Sequence, residues 1–527
     1  MRDFSTASLR LVLAAAAAAA LLAPAAPARA GGIMLPGFGP VSTSRAGAFV
    51  ATADDPSAIA VNPAGLAKQE GTVLLIGSTF IDYALSYQRS GVYDDESELP
   101  DGLPWAGQPY DLVEDESKPK IGIGPFQAVP ILAVSTDLGL GIRGLRFGAG
   151  VFAPNAYPAR SLAADYVLDD PGTKPPASRY DVVEEDATVV QPSIAVAYRV
   201  MDKLDLGARF TWGIGDIKAT TYTWGILNFE EWTHKDAIFK ISAKDNFIPI
   251  YAFGALFRPT SSIELGAHWT SQIDINARGT GVTETHFEIT PGQMAMTVPV
   301  PDAKARCDTG GTAAELKACV DLGLPMTASL GGRYILRDAG GGERGDVELD
   351  AQWEHHSATS DYKVVVDGQV DPGGISIKDT FIRHGLQDVL SVRLGGSYRI
   401  PVAGAPLTVR AGAAYDTAAA RDDWERLDLD GAARTTLALG AGYKIGRFSI
   451  DLGGGAVLEG TREVGSGCNP PDGDTGCDGR VTAVADRTQP DPVQPLSVPG
   501  GQKQSPFNDG TYKSHYVVFM LGLTAAF

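Results

Sequence analysis

Val517-Val518-Phe519-Met520-Leu521-Gly522-Leu523-Thr524-Ala525-Ala526-Phe527 is the stretch that decides the fold. Side chains of an extended backbone alternate faces with period two, so Val517, Phe519, Leu521, Leu523 and Ala525 share a face. The segment closes on an aromatic ring. The same alternation recurs along the chain. In 390–400, Leu390, Val392, Leu394, Tyr398 and Ile400 point one way, and Ser391, Arg393, Gly395, Ser397 and Arg399 the other. Segment 346–354 sets Val347, Leu349, Ala351 and Trp353 against Glu348, Asp350, Gln352 and Glu354. Segment 204–212 sets Leu204, Leu206, Phe210 and Trp212 against Asp205, Arg209 and Thr211. Charges on one face and aromatic residues near the ends suit a barrel with lipid outside and water inside.

Fourteen such segments run at about 72–88, 128–137, 144–153, 189–200, 203–212, 248–258, 262–271, 325–335, 346–356, 389–400, 406–416, 434–444, 447–458 and 513–527. The count is even, as a closed bacterial barrel requires, and each can cross a bilayer at a tilt. The reading is all-β: a transmembrane antiparallel β-barrel of about 14 strands. Connections after even-numbered segments are short, as at Met201-Asp202 and Lys444-Ile445-Gly446. Those after odd-numbered ones are long: 89–127, 154–188, 213–247, 272–324, 357–388, 417–433 and 459–512. Short turns at one rim and long loops at the other describe the periplasmic and extracellular ends of an outer-membrane barrel. A terminal Phe on such a strand resembles the outer-membrane assembly signal, which implies the barrel assembly machinery as a partner.

The chain has 527 residues, 44% hydrophobic and 20% charged, with a formal net charge of −19. Nucleic-acid binders carry a basic face, so no nucleic-acid partner is expected. Past residue 30 no apolar run reaches the roughly 20 residues of a membrane helix. Residues 1–30 read as a secretory signal peptide: Arg2 and Arg10, an apolar core Leu11 to Leu22, then the small-x-small site Ala28-Arg29-Ala30. Cleavage would leave a charge of −21, since Arg2, Arg10 and Arg29 outnumber Asp3 by two. Cys307 and Cys319 are separated by 11 residues, and Cys468 and Cys477 by 8. Proximity favours disulfides 307–319 and 468–477 in an oxidising compartment; a zinc site wants tighter spacing and a following His. Asp472, Asp474 and Asp478 faintly resemble a calcium loop but lack its terminal Glu, so no metal or cofactor is assigned.

Residues 31–71 break the pattern. Small residues dominate, punctuated by Pro and Gly, with helical possibilities around 44–52 and 56–61. A compact, weakly charged piece ahead of the first strand can fold into the lumen as a plug. Within it run Ser44-Arg45-Ala46-Gly47-Ala48, Ala53-Asp54-Asp55-Pro56-Ser57-Ala58 and Asn62-Pro63-Ala64-Gly65-Leu66. With these motifs the chain resembles the FadL family of outer-membrane long-chain fatty acid transporters, which includes the TodX-type aromatic hydrocarbon channels. The resemblance is close over 36–66 and architectural elsewhere. It implies a hatch at 31–71, a barrel at 72–527, and sideways release beside an inward-kinked third strand. Asn62, Pro63 and Ala64 would form the gate against strand 144–153. The following Ala153-Pro154-Asn155-Ala156-Tyr157-Pro158 can break pairing, because Pro cannot donate to a ladder. Ile33, Met34 and Leu35, on a Gly-Gly leader, would reach a lumen pocket and report ligand occupancy.

The implied cargo is a long-chain fatty acid or other hydrophobic ligand. Burying an acyl chain gains about 0.8 kcal/mol per CH₂, so a water-filled pore opposes its passage. The lipopolysaccharide leaflet also resists it. Capture on apolar loops and lateral release into outer-membrane lipid avoid both barriers. The capture residues expected are Trp224, Leu227, Phe229 and Trp232, with Tyr222, Phe239 and Phe247 nearby and Phe287 in the next long loop. Arg199, Arg209, Arg333, Arg393 and Arg410 face the lumen, where they pair either a ligand carboxylate or Asp205, Glu264, Glu348, Asp350 and Asp451. There is no nucleophile elbow, zincin helix or phosphate-binding loop, so a passive, monomeric, non-enzymatic transporter is the reading. The competing class is a surface barrel whose acidic, disulfide-bearing loops serve adhesion or receptor roles. The acidic stretches Asp94-Asp95-Glu96 and Glu114-Asp115-Glu116 read most simply as solvated outer loop, and could also bridge lipopolysaccharide phosphates through divalent cations.

Overall fold

The computed structural model describes residues 35–93, 103–153, 159–162, 174–223, 236–285, 296–297, 316–367, 369–370, 375–376, 380–402, 405–420, 425–429, 431–464 and 510–527. Among these residues fourteen strands build one wall. They are β1 (Val73–Arg89), β2 (Phe126–Thr136), β3 (Leu145–Phe152), β4 (Glu184–Met201), β5 (Leu204–Thr223) and β6 (Ala237–Phe257). Four strands are interrupted: β7 (Ile263–Thr270, resuming Ile273–Thr285), β8 (Leu316–Leu324, resuming Thr327–Arg337), β9 (Glu343–Glu354, resuming Asp361–Asp367) and β10 (Thr380–Arg383, resuming Val389–Val402). Then come β11 (Ala405–Asp416), β12 (Arg434–Ile445), β13 (Phe448–Val464) and β14 (Gly510–Ala526). Each pairs antiparallel with the next. β14 returns to β1, from Val73 opposite Ala526 to Arg89 opposite Gly510, and closes the barrel.

Alternation sorts the two faces as the sequence pattern requires. On β14, Phe519 and Leu521 are 51% and 49% exposed on the outside, while Tyr512, Tyr516, Val518 and Met520 are buried inside. Leu206, Leu265, Leu330, Leu349, Leu439 and Leu452 continue the outer apolar band, and Trp269, Trp353, Tyr334 and Phe257 are exposed along its edges. Asp346, Glu348 and Asp350 of β9 are buried in the lumen.

The wall is taller than the alternation implied. Residues 213–223, 237–247, 273–285 and 316–324, expected in long loops, are strand. There the pattern inverts: Ile217, Ile241, Ala243 and Ile275 pack inside, and Lys218, Lys240 and Lys244 are exposed. Above the bilayer the outer face meets water, so an apolar-outside template overlooks these ends. Phe247 is accordingly on the wall, edge-on to Trp212 at 5.1 Å, as part of the aromatic girdle rather than a capture loop.

Residues 35–71 fill the lumen at the short-turn end. They form α1 (Gly39–Thr43), α2 (Ala58–Val61) and a 3₁₀ helix (Pro63–Lys68). No helix covers 44–52, because Ala46 and Gly47 take φ of 51° and 80° and turn the chain out of the helical region.

Candidate functional site

The plug is held to one side of the barrel by charge. Arg45, 1% exposed, donates through Nη2 to Asp346 at 2.7 Å and Glu348 at 3.1 Å. Backbone N–H groups complete the seat: Phe49 and Val50 donate to Asp350 at 2.9 and 3.1 Å, and Ala51 to Glu348 at 2.6 Å. Lys68 Nζ donates to Glu264 at 2.7 Å and to the carbonyls of Ala51 and Thr52. Arg333 bridges Glu264, Glu343 and Asp346. Every buried carboxylate here meets a cation or N–H donors, as a low-dielectric interior demands.

Wall glycines let this backbone come close. A Cβ at Gly207 would collide with Pro63 and Ala64, one at Gly254 with Asn62, and ones at Gly395 and Gly412 with Arg45. Glycine inside a strand weakens it and marks close backbone approach, the signal by which these positions could have been found in the sequence. Asn62 Nδ2 donates to the carbonyls of Val50 at 2.8 Å and Ala255 at 3.3 Å, and Oδ1 accepts from Ala64 at 3.2 Å. Asn62-Pro63-Ala64 therefore sits against β5 and β6, not against β3. It is Ile59 and Leu66 that reach β3, over Gly148.

Among the described residues the ladder beside β3 is short. Among the described residues, β3 pairs with β2 only where Thr136–Leu132 face Phe147–Val151. On the other side it pairs with β4 from Gln191 to Tyr198, and the chain rejoins β4 at Ala159–Ser161 opposite Asp186–Glu184. Ala187–Val190 of β4 have no β3 partner there. Two prolines flank this stretch, Pro130 on β2 and Pro192 opposite Val151. Neither can donate to a ladder, which suits an edge. Beside it lies a narrow recess lined by Phe38, Gly39, Thr79, Val129, Pro130, Ile131, Phe152 and Ala153, with room for little more than a water.

Above the recess the inner wall is apolar. Ile81, Tyr83, Leu85 and Tyr87 of β1 pack with Tyr512, Tyr516, Val518 and Met520 of β14, roofed by Trp105, Tyr110 and Val113. Leu35, at the start of the described plug, is buried in this cluster. A closed barrel with a plug, an apolar upper lumen and a short ladder at the third strand meets its family here: residues 21–466 match the model described as outer membrane protein transport protein (OMPP1/FadL/TodX). The chain belongs to the FadL/TodX family. Solved structures agree in fold. A Pseudomonas aeruginosa FadL homologue superposes with a TM-score of 0.64 at 19% identity, covering 94% of this chain and 100% of that one. The P. putida toluene transporter TodX gives 0.59 at 13% identity, covering 94% and 99%. The Ralstonia pickettii toluene transporter TbuX gives 0.57 at 15%, covering 94% and 99%. No curated protein sequence matches the chain. As a member of the FadL/TodX family it is an outer-membrane transporter of hydrophobic compounds and not an enzyme.

Within that family frame the expected residues divide. Arg199 pairs with Asp205 at 2.9 Å, and Arg410 with Asp451 at 2.8 Å, like Arg333 among its acids. Cys319 is buried on β8. Cys307, Cys468 and Cys477 lie outside the described residues, as do Ile33, Met34, Trp224, Leu227, Phe229, Trp232, Phe287, Asp472, Asp474, Asp478 and the signal peptide. Tyr222 is buried against Tyr180, Val183 and Ile238, and Phe239 is partly buried inside the wall, so neither offers an open capture surface. Pro130 and Pro192 were missed; their signal was Pro within an alternating strand.

Proposed function

We propose that this chain takes up long-chain fatty acids or similarly extended hydrophobic molecules, passively, and releases them sideways into the membrane. The observation that carries this reading is the short ladder of β3 among the described residues, where the apolar upper lumen ends and the hatch begins. The outer loops would capture the molecule, with Trp224, Leu227, Phe229, Trp232 and Phe287 as the capture set. Ile33, Met34 and Leu35 would sense occupancy of the upper lumen, and Asn62, Pro63 and Ala64 would hold the hatch to the wall. From Tyr87 to Thr79 the inner row of β1 runs about 27 Å at roughly 3.4 Å per residue. That is the reach of a long acyl chain rather than of one aromatic ring. Phe38 and Phe152 close the recess, so passage requires the hatch to shift.

Uptake of labelled oleate and toluene by a transporter-deficient host tests this, with wild type, Ala153→Arg, Asn62→Ala and a chain lacking 33–35. An Arg side chain would fill the narrow recess that Ala153 lines with bulk and charge, so Ala153→Arg should cut oleate uptake about tenfold or more at unchanged surface level. Toluene uptake alone assigns the hydrocarbon branch. Unchanged oleate uptake in Ala153→Arg overturns lateral release.

A further inference from the structure

The turn between β2 and β3 departs from its neighbours at the short-turn rim. It reads Asp137-Leu138-Gly139-Leu140-Gly141-Ile142-Arg143-Gly144, and Leu138, Leu140 and Ile142 are each 50–60% exposed. None of the other described turns at this rim carries a large aliphatic side chain: 202–203 after β4, 258–262 after β6, 338–342 after β8 and 446–447 after β12. Leu138 also takes a φ of 55°, in the left-handed region where a bulky residue is an outlier. Strain of this kind persists where the surroundings enforce it. Here the base of the turn does so. Leu138 N–H donates to Thr136 Oγ1 at 3.1 Å, and Gly139 N–H to Asp137 Oδ1 at 3.0 Å. Arg146 pairs with Asp137 at 3.0 Å and donates to the carbonyl of Gly71 at 3.2 Å. The tip is therefore held from below, while half or more of each aliphatic residue stays outside the protein.

Three such residues within five positions form a patch, and an exposed apolar patch marks an interaction site. The patch is continuous with the lipid-facing wall. Arg199 N–H donates to the carbonyl of Gly144 at 3.0 Å, which sets the turn beside the end of β4, where Tyr198, Val200 and Met201 are exposed. Arg143, in the same turn, is exposed, and among the described residues no acid pairs with it. Aliphatic side chains joined to the lipid-facing band, with one cation among them, match the acyl chains and phosphate of a phospholipid. We infer that the 137–144 turn is a membrane-seated finger that binds the periplasmic leaflet. Its irregular backbone stays at headgroup level, where water satisfies the N–H and C=O groups, and the aliphatic side chains dip toward the acyl chains.

The test places tryptophan in the turn of the full chain, as Leu140→Trp and, separately, Ile142→Trp. Ala339→Trp, in the turn after β8, is the comparison. Each variant is reconstituted into nanodiscs of phosphatidylethanolamine and phosphatidylglycerol, and wild-type emission is subtracted. Phospholipid brominated near the headgroup end of its chains should remove about half of the added emission at 140 and 142, and aqueous iodide little of it. Ala339→Trp should show the reverse. Iodide quenching at 140 and 142 as strong as at 339 overturns the assignment and leaves the patch as a surface for a periplasmic protein. Equal bromolipid quenching at all three positions also overturns it, because the turn is then no different from the rest of the rim.

Discussion

The hatch meets the barrel in two chemically different ways. Toward β7–β9 it is tied by Arg45, Lys68 and backbone donors to Glu264, Asp346, Glu348 and Asp350. Toward β2–β5 it offers Phe38, Ile59 and Leu66 to Ile131, Ala133, Phe152, Ala195 and Ala197, with Arg146, Arg199 and Arg209 giving hydrogen bonds to neutral carbonyls. Directional bonds between buried charges resist sliding; apolar contacts are non-directional and re-form after small shifts. The firm side lies away from β3 and the slippery side lies on it. That arrangement lets the plug stay in place while its β3-facing edge moves.

Breaking the firm side should have the largest effect. Arg45→Ala leaves Asp346 and Glu348 facing one cation fewer, and should cost about 3–5 kcal/mol, read from unfolding midpoints in detergent. A loss below about 1 kcal/mol would erase the distinction between the two sides. Next, Gly254→Val pushes a side chain into the place of Asn62 and Pro63, for about 1–3 kcal/mol of overpacking. Displacement of the hatch should also admit small polar antibiotics, seen as lowered growth-inhibitory concentrations. On the slippery side, Ile59→Val should cost only about 1 kcal/mol yet change oleate uptake more than Gly254→Val does per unit of lost stability. Equal ratios would mean that the apolar edge does not govern passage.

The smallest effect concerns Asp55 in the hatch. Burial raises its carboxyl, against the bond from Ser57 N–H, to about 7. The buried state therefore favours the neutral form. The stability this contributes is complete below the ordinary carboxylate range and is lost as pH rises through about 7. Protection of the residue 53–60 amides, corrected for the base catalysis of exchange itself, should fall between about pH 4 and 7, and Asp55→Asn should flatten that dependence.

The barrel itself was legible because lipid imposes one rule on every strand, apolar outward, and β14 and β9 obey it residue by residue. The tops of β5–β8 were not, since outside the bilayer the same rule reverses. The hatch could be recognised from Ser44 to Leu66, but its partners could not: Arg45 and Asp346 lie 301 residues apart, and no local pattern encodes such a distance. Asn62 sits three strands from its expected position, on β6, because its amide needs two acceptors, and the close approach allowed by Gly254 supplies one of them at Ala255. Pro154 and Pro158, expected to break pairing after β3, lie outside the described residues, while Pro130 and Pro192 are hidden inside segments that alternate well.

Phe527 is paired to Thr72 in both directions, N to O at 2.8 Å and O to N at 3.2 Å. Thr72 is the joint between the hatch and β1. Zipping β14 onto β1 is a contact of extreme sequence separation, and such contacts form late because the intervening loop must be closed first. Completing the cylinder therefore also clamps the stem of the plug, and a hatch not yet inside at that moment would be locked out. The residue that ends the barrel is thus also the one that fixes where the plug begins.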